Sequence, residues 1–131
     1  MREIFIVEDE EDLINILGTV LKDEGYNVIK ASSAEEALIL CQTVRPDLII
    51  SDIKMGKMDG FGLLERIKAN ESLKKIPFIF LTSMDEARAR NKGLQLGAAA
   101  YITKPFDVDD LLAIILKLAP GDEHPRMPET R

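Results

Sequence analysis

Short apolar, β-branched runs alternate along this chain with longer segments of helical period. Ile4-Phe5-Ile6-Val7 is the first run. Asn27-Val28-Ile29, Asp47-Leu48-Ile49-Ile50, Phe78-Ile79-Phe80-Leu81 and Ala99-Ala100-Tyr101-Ile102 follow. The first, third and fourth are continuously apolar, which predicts strands buried on both faces. Five helical patterns complete the series. Leu13, Ile16, Leu17, Val20 and Leu21 form one stripe, ended by Gly25. Ser32 and Ser33, each with a Glu three residues on (Glu35, Glu36), offer two registers of a capping box for the second helix. Its stripe of Ala37, Leu38, Cys41 and Val44 stops before Pro46. Phe61, Leu64 and Ile67 mark the third. Ser83 to Leu96 is a weak, polar fourth pattern with Gly93 inside it. Val108 to Leu118 is the fifth, opened by Asp107 as N-cap.

The order βαβαβαβαβα predicts an α/β fold, a doubly wound five-stranded parallel sheet with helices on both faces. It occupies residues 1–118. Residues 119–131 are rich in Pro and charge and lack apolar periodicity, so they read as a disordered tail or the start of a linker. His124 stands alone there, with little to support a role as ligand or catalytic group.

Composition narrows the class. At 46% hydrophobic and 31% charged, the 131 residues suit one globular domain with an ordinary core. The net charge of −6 argues against a phosphate-backbone binder and predicts no direct nucleic-acid contact. The single cysteine, Cys41, excludes an intrachain disulfide and a multi-cysteine zinc site, and its apolar neighbours suggest a buried structural thiol. No apolar run approaches the roughly 20 residues that span a bilayer. Acids follow the first apolar stretch within a few residues, unlike a signal peptide. The expected setting is reducing and cytoplasmic, away from membranes.

In an open α/β sheet, ligands bind beyond the carboxyl ends of the strands. Strand one is followed by Glu8-Asp9, strand two by Ala31-Ser32, strand three by Ser51-Asp52. Strand four ends at Thr82-Ser83, and strand five at Thr103-Lys104-Pro105-Phe106. Three carboxylates, a hydroxyl and an ammonium thus fall at one edge. Clustered carboxylates must take up protons or share a cation. A hard dication such as Mg²⁺ suits oxygen donors, and with Lys104 and Thr82 the set suits a phosphoryl group. No Walker loop is present, since Gly56-Lys57 lacks the earlier glycine and the following Ser or Thr. The candidate nucleophile is therefore a carboxylate, which would form an aspartyl phosphate.

These strand-end residues, with Asp52-Ile53-Lys54-Met55-Gly56-Lys57-Met58-Asp59-Gly60, Leu81-Thr82-Ser83 and the run from Gly97 to Phe106, resemble the receiver domain of two-component response regulators of the chemotaxis-regulator-like kind. The likeness runs from Met1 to about Leu118. It implies a flavodoxin-like (βα)5 fold of strand order 2-1-3-4-5. Asp52 would accept phosphoryl from a sensor histidine kinase or phosphotransfer protein. Asp9 and Asp52 would bind Mg²⁺ (or Mn²⁺ in its place) directly, joined by the backbone carbonyl of Lys54, with Glu8 acting through water. Thr82 would move toward the phosphoryl group and Tyr101 would swing inward with it. Lys104 would hold a phosphate oxygen, and the Lys104-Pro105 peptide would be cis. Catalysis would be limited to the domain's own phosphorylation and dephosphorylation.

Three positions depart from the family pattern. Gly56 stands where Pro is usual and should loosen the loop after Asp52. Ser83 replaces a small apolar residue, and Lys54 places a cation two residues after the acceptor. The output surface is expected on the fourth helix, fifth strand and fifth helix, for an output domain, a downstream effector or a homodimer. Ile114 and Leu118 are expected to flank it, because the fifth helix has an apolar arc of roughly 200°, wider than one-sided burial needs. Scattered exposed aliphatics are the ordinary alternative. Arg88, Arg90 and Lys92 form either a solvated face or a recognition patch. Two other classes fit the same sheet. A small phosphatase working through an aspartyl phosphate would need a second acid as proton donor, which Ile53-Lys54 does not offer. A flavodoxin-like cofactor binder would want a phosphate-cradling loop where strand one is followed by acids.

Overall fold

The computed structural model describes residues 2–120. Its elements are β1 (Glu3–Val7), α1 (Glu11–Asp23), β2 (Asn27–Ala31), α2 (Ala34–Leu40), β3 (Leu48–Ser51), α3 (Gly60–Ala69), β4 (Phe78–Thr82), α4 (Ala87–Gln95), β5 (Ala100–Thr103) and α5 (Val108–Leu118). The strands are all parallel, in the order β2-β1-β3-β4-β5. Side-chain alternation divides the core in two. Phe5, Val7, Ile49, Phe78, Phe80 and Tyr101 face one helical layer with α2, α3 and α4. Ile4, Ile6, Leu48, Ile50, Ile79 and Leu81 face the other, with α1 and α5. The central strands are buried throughout apart from half-buried Glu3, whereas β2 and β5, at the edges, are only partly covered.

Local chemistry sets the helix ends. Beyond α1 the Gly25 and Tyr26 N–H groups donate to the carbonyls of Lys22 and Leu21, with Gly25 at φ +93°, a Schellman ending that needs glycine. Of the two capping registers for α2, Ser33 is the N-cap and accepts from the Glu36 N–H, while the Glu36 carboxylate reaches back to Ser32. Asp107 caps α5 by accepting from the N–H groups of Asp109 and Asp110.

Three readings of the pattern are corrected. On α1 the buried line is Ile14, Leu17, Gly18 and Leu21, and Ile16 is 53% exposed. The stripe is rotated because Gly18, which a count of apolar side chains overlooks, lies on the packed side. The fourth helix starts at Ala87, leaving Ser83–Glu86 as a loop. There the Thr82 hydroxyl accepts from the Met84 N–H, a local bond that competes with helix. Cys41 is partly exposed between α2 and α3, although burial still raises its thiol pKa.

At the end of α5, Ala119 is buried and its carbonyl accepts from the Tyr26 hydroxyl at 2.7 Å. The Pro120 carbonyl accepts from Arg2 at 3.0 Å. The expected tail beyond Pro120, His124 included, lies outside the described residues.

Candidate functional site

Parallel pairing aligns the strand ends. Val7 of β1 is level with Ser51 of β3, and Thr82 of β4 is level with Thr103 of β5. The next residues, Glu8, Asp52 and Lys104, therefore leave the sheet at the same edge. Backbone bonds continue the ladders one step past the strands: Asp52 N–H to Val7 carbonyl, Glu8 N–H to Ala31 carbonyl, and Lys104 N–H to Thr82 carbonyl.

The Lys104 ammonium lies 3.3 Å from Glu8 Oε1 and 3.4 Å from Asp52 Oδ2, with the exposed Glu10 carboxylate at 3.7 Å. Glu8 is 3% exposed, and its second oxygen accepts from the Glu10 N–H. The other oxygen of Asp52 accepts from the Ile53 N–H at 2.6 Å. Burial pushes the Glu8 carboxyl above the usual carboxylate range and the Asp52 charge adds to this, with Lys104 and the Glu10 N–H opposing. Burial alone would lower the Lys104 ammonium, but the charges of Asp52 and Glu8 outweigh it and hold it above the usual lysine value. Asp9 and Lys54 are exposed at the rim. The Lys104-Pro105 peptide is cis.

Among the described residues, no three His, Cys, Asp or Glu side chains form a ready metal cluster. The donors at this edge are nevertheless hard oxygens, two carboxylates in contact with Lys104 and the exposed Asp9 next in sequence. Mg²⁺ uses only one or two carboxylates beside waters and phosphate oxygens, so the donor chemistry fits it without an all-protein cage.

A second group of contacts leads away from this cluster. Thr82, at 1% exposure, accepts from the Met84 N–H at 3.2 Å, and the Tyr101 hydroxyl donates to the Met84 carbonyl at 2.6 Å. Met84 thus ties both candidate switch residues to one loop, a role its sequence position does not signal. Tyr101 is already turned inward, 6% exposed and 5.9 Å from the Phe80 ring. Burial, with the Glu86 charge, raises its phenol pKa, so it remains a donor.

The candidate interface residues have mixed surroundings. Arg90 lies 5.1 Å over the Tyr101 ring and donates to the Tyr101 carbonyl, so it packs against its own chain. Lys92 sits 4.6 Å over the Phe61 ring. Arg88 is exposed and lines, with Phe61 and Lys92, a groove between α3 and α4. Ile114 and Leu118 are half-buried against the core, and the exposed large aliphatics of α4 and α5 are Leu94 and Leu116.

Residues 4–116 match the sequence profile of the response regulator receiver domain. The chain belongs to that family. It is 41% identical over 120 residues to the "Probable transcriptional regulator ycf29" of Pyropia yezoensis, covering 92% of this chain and 54% of that protein. Among solved structures it resembles the chemotaxis response regulator CheY4 of Vibrio cholerae, at 30% identity and a TM-score of 0.83, covering 90% of this chain and 98% of that one. The Mn²⁺-bound form of response regulator Rcp1 superposes with a TM-score of 0.78 at 27% identity, covering 90% and 91%. The chain spans about half the length of the curated relatives it matches. The observed sheet order is the flavodoxin-like one. This receiver domain is a phosphorylation-dependent signalling module, and its relatives are regulators rather than metabolic enzymes. Among the described residues no helix is long and apolar enough to cross a membrane.

Proposed function

We propose that this receiver domain accepts a phosphoryl group on Asp52 from a sensor histidine kinase or phosphotransfer protein. The observation that supports this most is the Lys104 ammonium within 3.4 Å of both Glu8 and Asp52, three residues from three strand ends. The Asp52 carboxylate forms the new O–P bond as the P–N bond to the donor imidazole breaks, and the imidazole leaves with a proton. Lys104, already against Asp52, is placed to stabilise an equatorial phosphoryl oxygen.

Mg²⁺, with Mn²⁺ able to substitute, would be held by Asp9, Asp52 and the Lys54 carbonyl, with Glu8 acting through water. When bound, it would neutralise charge shared by the carboxylates and the phosphoryl group.

Thr82 reaches the phosphoryl group by giving up its bond from the Met84 N–H. Because Tyr101 holds the other side of Met84, that move alters the loop before α4 and the face made by α4, β5 and α5. The phosphoryl group must bind the altered state better than the resting one for any shift to follow. The changed face, with Arg90, Tyr101 and Ile114 along it, serves an output domain, a downstream effector or a second copy of the chain in the cytoplasm.

The test is incubation with a small phosphodonor, with and without a chelator. Uptake should stop at one phosphoryl group per chain and vanish when divalent ions are removed, with no turnover of an aryl phosphate. Sustained aryl phosphate hydrolysis would overturn this reading in favour of a phosphatase.

A further inference from the structure

The loop joining β3 to α3 carries Asp52 and, under the reading above, the Lys54 carbonyl ligand. Its base is closed by the Gly60 N–H donating to the Ile53 carbonyl at 2.7 Å, and Met55 is buried in the core. Past Met55 the chain has fewer constraints. Gly56 sits at φ +43°, and Gly56, Lys57 and Asp59 are exposed. Among the described residues, one hydrogen bond is made by residues 54–58: the Met58 N–H donates to Glu35 Oε2 at 3.2 Å. Glu35 belongs to α2, 23 positions earlier in the chain. Its neighbour Glu36 is occupied with Ser32 and with the Ser33 cap, so the two adjacent acids have separate tasks.

We propose that Glu35 is a positioning residue for phosphoryl transfer, holding the loop after Asp52 in place through the Met58 N–H. The reason is entropic. Glycine at position 56 leaves this loop more conformations than most residues would, and an unheld carbonyl at Lys54 must be ordered each time an ion binds. A side-chain oxygen acceptor on a neighbouring helix meets part of that ordering cost in advance, through one exposed bond of ordinary hydrogen-bond strength. The inference rests on the proposed function of Asp52.

The test compares wild type, Glu35→Ala and Glu35→Gln in the full chain, with Asp52→Asn as a reference. Glu35→Gln keeps an oxygen acceptor and removes the charge. Three quantities are measured: Mg²⁺ affinity by calorimetry, the rate of phosphorylation by a small phosphodonor, and amide exchange at Met58. Glu35→Ala should weaken Mg²⁺ binding and slow phosphorylation by about two- to tenfold, the range of one net hydrogen bond. It should also remove Met58 protection, and Glu35→Gln should restore most of all three. Unchanged Mg²⁺ affinity and rate in Glu35→Ala would overturn the proposal. Equal losses in Ala and Gln would also overturn it, since they would assign the effect to charge. Wild type that takes no phosphoryl group, or Asp52→Asn that still does, would instead refute the premise about Asp52, and the Met58 exchange would still report the tether.

Discussion

Lys104 lies 3.3 Å from Glu8 and 3.4 Å from Asp52, and burial holds the Glu8 carboxyl above the usual carboxylate range. A carboxyl whose folded pKa is raised keeps a proton that the unfolded chain would release. Its contribution to stability is therefore present below the usual carboxylate pKa and lost as pH rises from there through the raised folded pKa. Without divalent ions, the stability of wild type relative to Glu8→Gln should fall as pH rises through that window. Denaturant unfolding of both proteins across the acid range measures it, and a pH-independent difference would show that Glu8 titrates normally. Much of this cluster was legible in the sequence, because parallel topology forces strand-end residues together whatever their separation along the chain. The part played by Glu10 was not. Its N–H serves Glu8 and its carboxylate lies 3.7 Å from Lys104. Backbone donors carry no mark in a sequence.

At the scale of elements, α3 must start close beneath the Asp52 loop, and glycine permits it. A Cβ at Gly60 would overlap the Asp52 carbonyl oxygen and come within 2.9 Å of the Ile53 Cα. Backbone neighbours cannot turn aside as a side chain can. Gly60→Ala should destabilise the domain by about 1 to 3 kcal/mol, the usual range for overpacking, and slow phosphorylation of the folded fraction. Gly62→Ala is the matched control: its Cβ would mainly meet the flexible Met58 side chain, and it gains helix propensity. Equal effects in thermal unfolding would contradict this account. Helix ends read well from the sequence where a side chain makes the cap, as at Ser33 and Asp107. The start of α4 did not, because the bond that keeps Met84 out of the helix comes from Thr82, inside the preceding strand. Gly93 likewise suggested a loose helix, whereas its small size lets α4 lie on Phe80 and Tyr101.

Across the whole molecule, the strand order brings β1, β3 and β5 residues to one edge, and β4 connects that edge to α4. The periodicity of the chain was enough to give five parallel strands and two packed faces, since continuous apolar runs have few other places to go. It could not show that Arg90 lies on Tyr101, because an arginine on a polar helix looks the same whether it faces water or a ring. At this scale the arrangement turns on Asp52 as the proposed phosphoryl acceptor. Intact mass spectrometry after incubation with a small phosphodonor and Mg²⁺ tests it directly. Wild type should gain the mass of one phosphoryl group and Asp52→Asn none; an equal gain in Asp52→Asn would contradict the account.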